Sequence, residues 1–189
     1  MSVILMSKVI IFPTDTVYGI GCPIFDIKGI EKIYKIKHRS KDKPLACLCS
    51  SLEQIEEIAQ LNPNVRNLIE QCMPGALTLI LPAKSNVLEA IGYKTIGVRI
   101  PNSSLALQLL NVHGPMLTTS VNESGEMPLN DYETIVAQYQ DVVDKIYPPQ
   151  KNSSNISSTV IDLTTGEMKL LREGTLAFEQ IKIIYQGKA

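Results

Sequence analysis

The chain has 189 residues, 44% of them apolar and 20% charged, with a formal net charge of −1. That composition belongs to a globular protein with a core of its own, expected as one domain over 1–189, and excludes a disordered, collagen-like or globally basic nucleic-acid-coating chain. No run approaches the roughly 18 uninterrupted apolar residues of a membrane span, so a cytoplasmic protein with no membrane partner is expected.

The opening "MSVILMSKVIIF" reads as a strand, placed over 9–12, rather than a signal peptide, because Ser7 and Lys8 interrupt the apolar run and no small-residue cleavage site follows. Next comes "FPTDTVYGIG", where Thr14, Asp15 and Thr16 succeed the apolar residues and Gly19 and Gly21 bracket Ile20. Two readings fit it: an ordinary turn, or a strand end that holds a small polar molecule. A helix starts at Asp26 with Ile27, Ile30, Ile33 and Tyr34 on one face.

Residues 28–43 carry Lys28, Lys32, Lys35, Lys37, Arg39, Lys41 and Lys43 against only Glu31 and Asp42. The first half fits the solvated face of the helix. The second half falls where the helix should end, just before Pro44, and reads as an anion site.

Further strands are predicted over 45–49, 77–81, 95–100, 116–119, 142–147, 159–163 and 168–171. Helices are announced by Ser51 with Gln54, by Asn62 before Pro63, by Ser103 or Ser104 through Leu110, and by Asp131 through Tyr139. "LTTGEMKLL" reads as a hairpin about Thr165 and Gly166, so the expected fold is α/β with a large mixed sheet flanked by helices. "YPPQKNSSNISST" reads as a loop that ends directly on a strand.

Several chemistries lack their motifs. There is no phosphate-binding G-x-x-x-x-G-K-[ST], and Ile24 stands where a dinucleotide fingerprint needs its third glycine. Cys22, Cys47, Cys49 and Cys72 form no C-x-x-C and His38 and His113 lie far apart, so no metal site is assigned and the thiols are expected reduced and mostly buried. Only Arg39, Arg66, Arg99 and Arg172 are arginines. Arg99 and Arg172 fall near strand ends, where a planar guanidinium can grip a carboxylate or phosphate with two parallel hydrogen bonds. Hydroxyl and amide groups gather in "LTTSVNESGE" and "SSTV", composition suited to an anion nest.

In order, "PTDTVYGIGC", "KIKHRSKDKPL", "MPGALTLIL", "GVRIP", "TTSVNESGE", "SSTVIDL" and "LLREG", running from Pro13 to Gly174, resemble the YrdC/TsaC family of threonylcarbamoyl-AMP synthases in its short single-domain form. The resemblance implies a YrdC-like sheet around a concave basic cavity, and a reaction joining L-threonine, bicarbonate or CO2 and ATP, with Mg2+ accompanying the nucleotide. Downstream threonylcarbamoyl-transferase proteins and tRNA are the implied partners. By that likeness Lys37, Arg39 and Lys43 hold the ATP phosphates as the catalytic set, Thr95 and Arg172 meet the nucleotide, and Ser120 and Asn122 sit between nucleotide and amino acid. Thr16, Arg99 and Ser158 take the threonine, with Gly19 and Gly21 letting the backbone turn beside it and Arg99 pairing with substrate rather than with protein.

The sequence departs from the family pattern at Ser40, where Pro is frequent, at Leu48 and Asn102, where His is common, and at Val121, where Ala is usual. Leu48 is expected to remove a polar contact and Val121 to narrow the pocket or displace its loop. Two other readings compete. A non-catalytic RNA-binding module would use the 28–43 patch, though 5% aromatics and no Trp disfavour base stacking. The carbamoyl-transfer domains of hydrogenase maturation proteins bring zinc-binding cysteine clusters that this sequence lacks.

Overall fold

Successive side chains of each strand point to opposite faces of the sheet, one wholly apolar and the other partly polar, and this division positions the site. A computed structural model describes residues 8–150 and 154–187. Residues 1–7 of the opening segment therefore lie outside the described part, whereas the strand placed over 9–12 lies within it.

The strands are β1 (Ile10–Phe12), β2 (Gly19–Pro23), β3 (Ala46–Leu48), β4 (Leu77–Pro82), β5 (Thr95–Arg99), β6 (Met116–Ser120), β7 (Lys145–Ile146), β8 (Thr159–Asp162) and β9 (Lys169–Arg172). They form one nine-stranded sheet ordered β7-β1-β2-β6-β3-β5-β4-β8-β9. β1/β7, β3/β5 and β4/β8 are parallel and the remaining neighbours antiparallel, so the sheet is mixed as expected.

The helices are α1 (Ile27–Ile36), α2 (Leu52–Ile58), α3 (Pro63–Cys72), α4 (Ser85–Ile91), α5 (Ser104–His113), α6 (Tyr132–Tyr139) and α7 (Phe178–Tyr185). Their starts follow the chemistry of the sequence. Asp26, Ser51, Asn62, Ser103 and Asp131 each accept a hydrogen bond from a backbone N–H of the first turn.

One face of the sheet buries Leu77, Leu79 and Leu81 with Ile96, Val98, Cys47, Leu117 and Ile161. Onto it pack Ile33 of α1, Ile55 of α2, Leu68 of α3, Ile135 of α6 and Ile181 of α7. Each such fully buried side chain contributes about 1.5–3 kcal/mol. On the opposite face a second cluster joins Ile10, Phe12, Leu48 and Met116 to Ala106, Leu109 and Leu110 of α5. That helix covers one part of the face; the rest carries the cavity described below.

Four elements differ from the sequence reading. Residues 19–23 form a strand, not a turn: the two glycines are extended and pair with β6. A Cβ on Gly19 would lie 2.6 Å from Thr118 Cγ2, and one on Gly21 2.6 Å from Thr118 Oγ1, so these glycines make room for a side chain of the next strand. The strand predicted over 142–147 shrinks to two residues, because Val142 and Val143 turn back to Tyr139. Helices α4 and α7 were not predicted. All four cysteines are free thiols, three of them buried.

Candidate functional site

A cavity of about 390 Å³ opens on the concave face. This is within the usual size of a small-molecule site. Its walls follow the alternation: Ala46 and Leu48 from β3, Thr78 and Ile80 from β4, Thr95, Gly97 and Arg99 from β5, Thr118 and Ser120 from β6, Val160 from β8 and Arg172 from β9. Thr14 and Thr16 close one side, Arg39 and Pro44 another. The floor is shallow in side chain, since Gly97 presents only hydrogen between Ala46 and Thr78. Among the described residues the walls include three arginines and seven Ser or Thr side chains other than Thr119 and Ser157, but no carboxylate, a composition that favours anions.

Arg99 is the most constrained wall residue and is 6% exposed. Its Nε donates to Gly75 O at 2.9 Å, Nη1 to Thr16 Oγ1 at 2.8 Å and Nη2 to Asp15 Oδ1 at 2.6 Å. The expectation that this guanidinium pairs with substrate rather than with protein is corrected here. Three of its five N–H groups are spent on the protein and two are left. Burial draws its pKa below the usual value while the Asp15 carboxylate opposes that shift, and the guanidinium stays charged.

Behind the Arg99 bond to Thr16, a second hydroxyl fixes a direction of donation. Thr14 Oγ1 donates to Val17 O at 2.8 Å, so the 3.0 Å contact between Thr14 and Thr16 must be a donation from Thr16. Thr16 therefore has no hydroxyl proton to spare, and offers a ligand only a lone pair and a methyl group. From the other side the backbone N–H groups of Ser154 and Asn155 bond to Asp15 O and Thr16 O, bringing the end of the Ser/Asn-rich loop to the cavity.

Ser158, a further wall residue, is buried, and its Oγ lies 2.8 Å from Thr78 Oγ1. Arg172 donates from Nε to Ser158 O at 3.0 Å and from Nη2 to Ser158 Oγ at 3.3 Å. The close approach depends on Gly174, where an added Cβ would lie 2.1 Å from Ser157 O. Thr78 and Gly174 escaped the sequence reading, although Gly174 stands two residues after Arg172 in "LLREG".

Lys37 and Asn122, expected in the site, are turned into the protein. The Lys37 ammonium donates to Ser120 O, to Asn122 O at 2.7 Å and to Asn122 Oδ1 at 2.7 Å, which uses all three of its N–H groups. Asn122 Oδ1 also accepts from Ser120 Oγ, and Asn122 Nδ2 donates to Glu126 O. Neither residue lines the cavity, whereas Ser120 does. Burial, with a smaller contribution from the Arg39 charge, lowers the Lys37 pKa to about 8.

Arg39 stands on a different footing, in the loop after α1, where His38 adopts a left-handed conformation with φ 47°. Its Nε donates to Lys43 O at 2.9 Å and Nη2 to Pro44 O at 3.1 Å, leaving three N–H groups. Lys41 and Lys43 are exposed beside it, and Lys43 is not a wall residue. Ser40 is exposed too, and its hydroxyl bonds Asp42.

Of the other departures, Leu48 belongs to the apolar cluster beneath α5 as well as to the cavity wall, so that end of the hollow is apolar. Val121 does not narrow the pocket as expected. It is fully buried in the main core, because alternation sends it to the face opposite Ser120. Asn102 is exposed at the start of α5, outside the cavity.

The fold thus places an arginine- and hydroxyl-lined hollow, free of carboxylates among the described residues, on the open half of a mixed sheet, the construction of an α/β protein with a small-molecule cavity. A family model for Sua5, YciO and YrdC proteins, described as "Telomere recombination", matches residues 2–174, and the chain belongs to this family. A threonylcarbamoyl-AMP synthase of Pyrococcus abyssi is 33% identical over 181 residues, spanning 93% of this chain and 53% of that protein. A putative threonylcarbamoyl-AMP synthase of Methanocaldococcus jannaschii is 31% identical over 94% of this chain and 85% of its own length. Among solved structures, P. abyssi Sua5 complexed with L-threonine superimposes with a TM-score of 0.85 at 32% identity, covering 94% of this chain and 53% of that one. E. coli YciO gives 0.84 at 29% identity, covering 93% and 87%. This chain thus spans about half the length of its P. abyssi relatives.

Proposed function

We propose that the protein is a threonylcarbamoyl-AMP synthase, a nucleotidyltransferase that condenses L-threonine, bicarbonate or CO2 and ATP into threonylcarbamoyl-adenylate and pyrophosphate. The observation that carries this reading is the convergence of Thr16, Arg39, Thr95, Arg99, Ser120, Ser158 and Arg172, scattered over 157 positions of sequence, on one cavity. The likeness to a Sua5 solved with L-threonine supports the amino-acid end. Residues 1–189 act as one domain in this reading. The product goes to threonylcarbamoyl-transferase proteins that modify a tRNA adenosine, in the cytoplasm, where these components meet.

The chemistry suits such walls. The threonine amine adds to the carbon of CO2 and loses a proton, giving a carbamate. A carbamate oxygen then attacks the α-phosphorus of ATP, an O–P bond forms, and the bond to the β-phosphate oxygen breaks as pyrophosphate leaves. Both reactants are anionic, so holding them in line and compensating their charge is the main work, worth about 7–11 kcal/mol for positioning alone. No covalent nucleophile is required.

Arg99 offers its two unspent N–H groups to the threonine carboxylate, with Thr16 and Ser158 beside it. Arg39 and Lys43 face the phosphates; Thr95 and Arg172 face the nucleotide. Ser120 presents its backbone and hydroxyl oxygen between the two halves, and Lys37 and Asn122 serve that step by fixing the turn that carries it. Mg2+ enters with the nucleotide. The walls carry no carboxylate and no three His, Cys, Asp or Glu side chains cluster among the described residues, so the site suits an ion held by the triphosphate's own oxygens.

Incubation with ATP, radiolabelled bicarbonate and each amino acid in turn tests the proposal. A labelled adenylate is expected with threonine alone. Label with no amino acid, or salt-sensitive RNA binding without pyrophosphate release, overturns it.

A further inference from the structure

Tyr34 of α1 and Tyr93, between α4 and β5, lie outside the cavity wall, yet their hydroxyls meet at 2.8 Å beneath the basic loop. Tyr34 is buried and Tyr93 half-buried. The direction of every hydrogen bond around them is determined. Tyr34 OH donates its single proton to Lys43 O at 3.1 Å. Tyr93 must then donate to Tyr34, and the Tyr93 oxygen accepts from Leu45 N at 3.1 Å. The result is a relay from Leu45 N–H through Tyr93 and Tyr34 to the Lys43 carbonyl, gripping both sides of Pro44, itself a cavity wall.

The same Lys43 carbonyl oxygen accepts from Arg39 Nε. One carbonyl thus takes a tyrosine proton from the core side and the guanidinium from the cavity side, and the relay fixes the atom against which Arg39 is aimed. The strut is continuous with the site at its other end too. Gly92, left-handed with φ 75°, closes α4 and leads into Tyr93, and Thr95 two residues on lines the cavity.

We propose that Tyr34 and Tyr93 are positioning residues that set the affinity for the nucleoside triphosphate by fixing the 39–45 loop, without touching substrate. This deepens the proposed function and rests on it for the identity of the ligand. Because only the loop depends on the relay, its loss should act on the triphosphate end and spare the amino-acid end, where Arg99 is held by Gly75, Asp15 and Thr16.

The test uses Tyr34→Phe, Tyr93→Phe and the double variant in the full chain, with two readouts. Calorimetric titration with a non-hydrolysable ATP analogue should show each single variant binding roughly three- to tenfold more weakly, the net worth of one buried hydrogen bond, because only part of the two contacts each substitution removes is transmitted to the ligand. The double variant should bind more tightly than the two single losses added together would give, since the Tyr93–Tyr34 bond is lost in either single variant and cannot be lost twice. In turnover assays the KM for ATP should rise by the same factor, with the KM for threonine and kcat within twofold of wild type.

Wild-type affinity for the analogue in both single variants overturns the inference, as do strictly additive effects or an equal rise in both KM values. Thermal melting separates a weakened fold from a displaced loop. A lowered melting temperature with unchanged analogue affinity counts against positioning. Should the wild-type chain bind the analogue yet make no threonylcarbamoyl-adenylate, the proposed reaction fails while the calorimetric arm still decides the role of the tyrosines.

Discussion

The two ends of the cavity are built on opposite principles. At one end Arg99 stands on a central strand, buried, with three protein hydrogen bonds, an ion pair to Asp15 and the Thr16–Thr14 chain behind it. At the other, Arg39 and Lys43 ride on a solvent-facing loop whose tie to the core is the tyrosine relay. The first end is pre-organised, so a ligand there finds its partners in place and orders little on binding. The second can follow a long, highly charged group, and its exposed charges are screened by salt. A rigid clamp for a small carboxylate and an adaptable one for a triphosphate is the division of labour this contrast suggests.

The largest effect should come from the rigid end. Arg99→Ala leaves the partly buried Asp15 carboxylate without its partner, which costs up to about 3 kcal/mol of stability, and should lower threonine-dependent pyrophosphate release by well over a hundredfold. Urea denaturation and a pyrophosphate assay measure the two. The Arg99→Ala, Asp15→Asn pair should recover part of the stability and none of the turnover. Recovery of both would show that Arg99 serves the fold alone.

Lys37, behind the Ser120–Asn122 turn, should reveal itself through pH. Its pKa in the folded chain, about 8, lies below the ordinary lysine value of 10.5. Between those values the unfolded chain binds more protons at this site, so the group's contribution to stability rises with pH. A neutral amine, however, has only two N–H groups for its three acceptors, so the Ser120–Asn122 turn loosens. Turnover should therefore fall through an alkaline limb centred near pH 8 while this group costs the fold nothing over the same range. In Lys37→Met, kcat should drop by roughly a hundredfold, as expected for a small misplacement of reacting groups, and that limb should vanish from the remaining activity. A pH–rate profile beside a pH–stability profile decides it.

The smallest effect belongs to the adaptable end. Lys43→Ala removes an exposed charge and should raise the KM for ATP by about three- to fivefold, in line with an interaction of under 1 kcal/mol, leaving that for threonine unchanged. The difference from wild type should shrink as ionic strength rises. A salt-independent effect would place Lys43 in a desolvated contact and erase the contrast between the ends.

Legibility in the sequence follows the same divide between local and distant causes. The capping residues Asp26, Ser51, Asn62, Ser103 and Asp131 mark their helices because a cap is made within three residues of itself. The hairpin at Gly166 could be read for the same reason. Helix α7 had a readable apolar spacing in Phe178, Ile181 and Ile184, whereas α4 opens on Lys84 with no side-chain cap. Strand β2 was hidden by its glycines, whose purpose is a threonine almost a hundred residues away. In the site, scarce arginines at strand ends pointed to Arg99 and Arg172. Nothing local tells that Asp15 will neutralise one of them, that Gly174 must be bare beside Ser157, or that two tyrosines will share a proton path. Those are properties of the packed sheet.

The bare floor at Gly97 carries one more consequence. A methyl group there would sit 3.5 Å from the nearest neighbours, Ala46 Cβ and Thr78 Cγ2, an ordinary contact that strains nothing. At Gly174 the same addition has no room at all. The hollow can thus be made shallower by a single carbon without disturbing the scaffold around it, so evolution or an engineer can trim which guest fits while the host stays as it is.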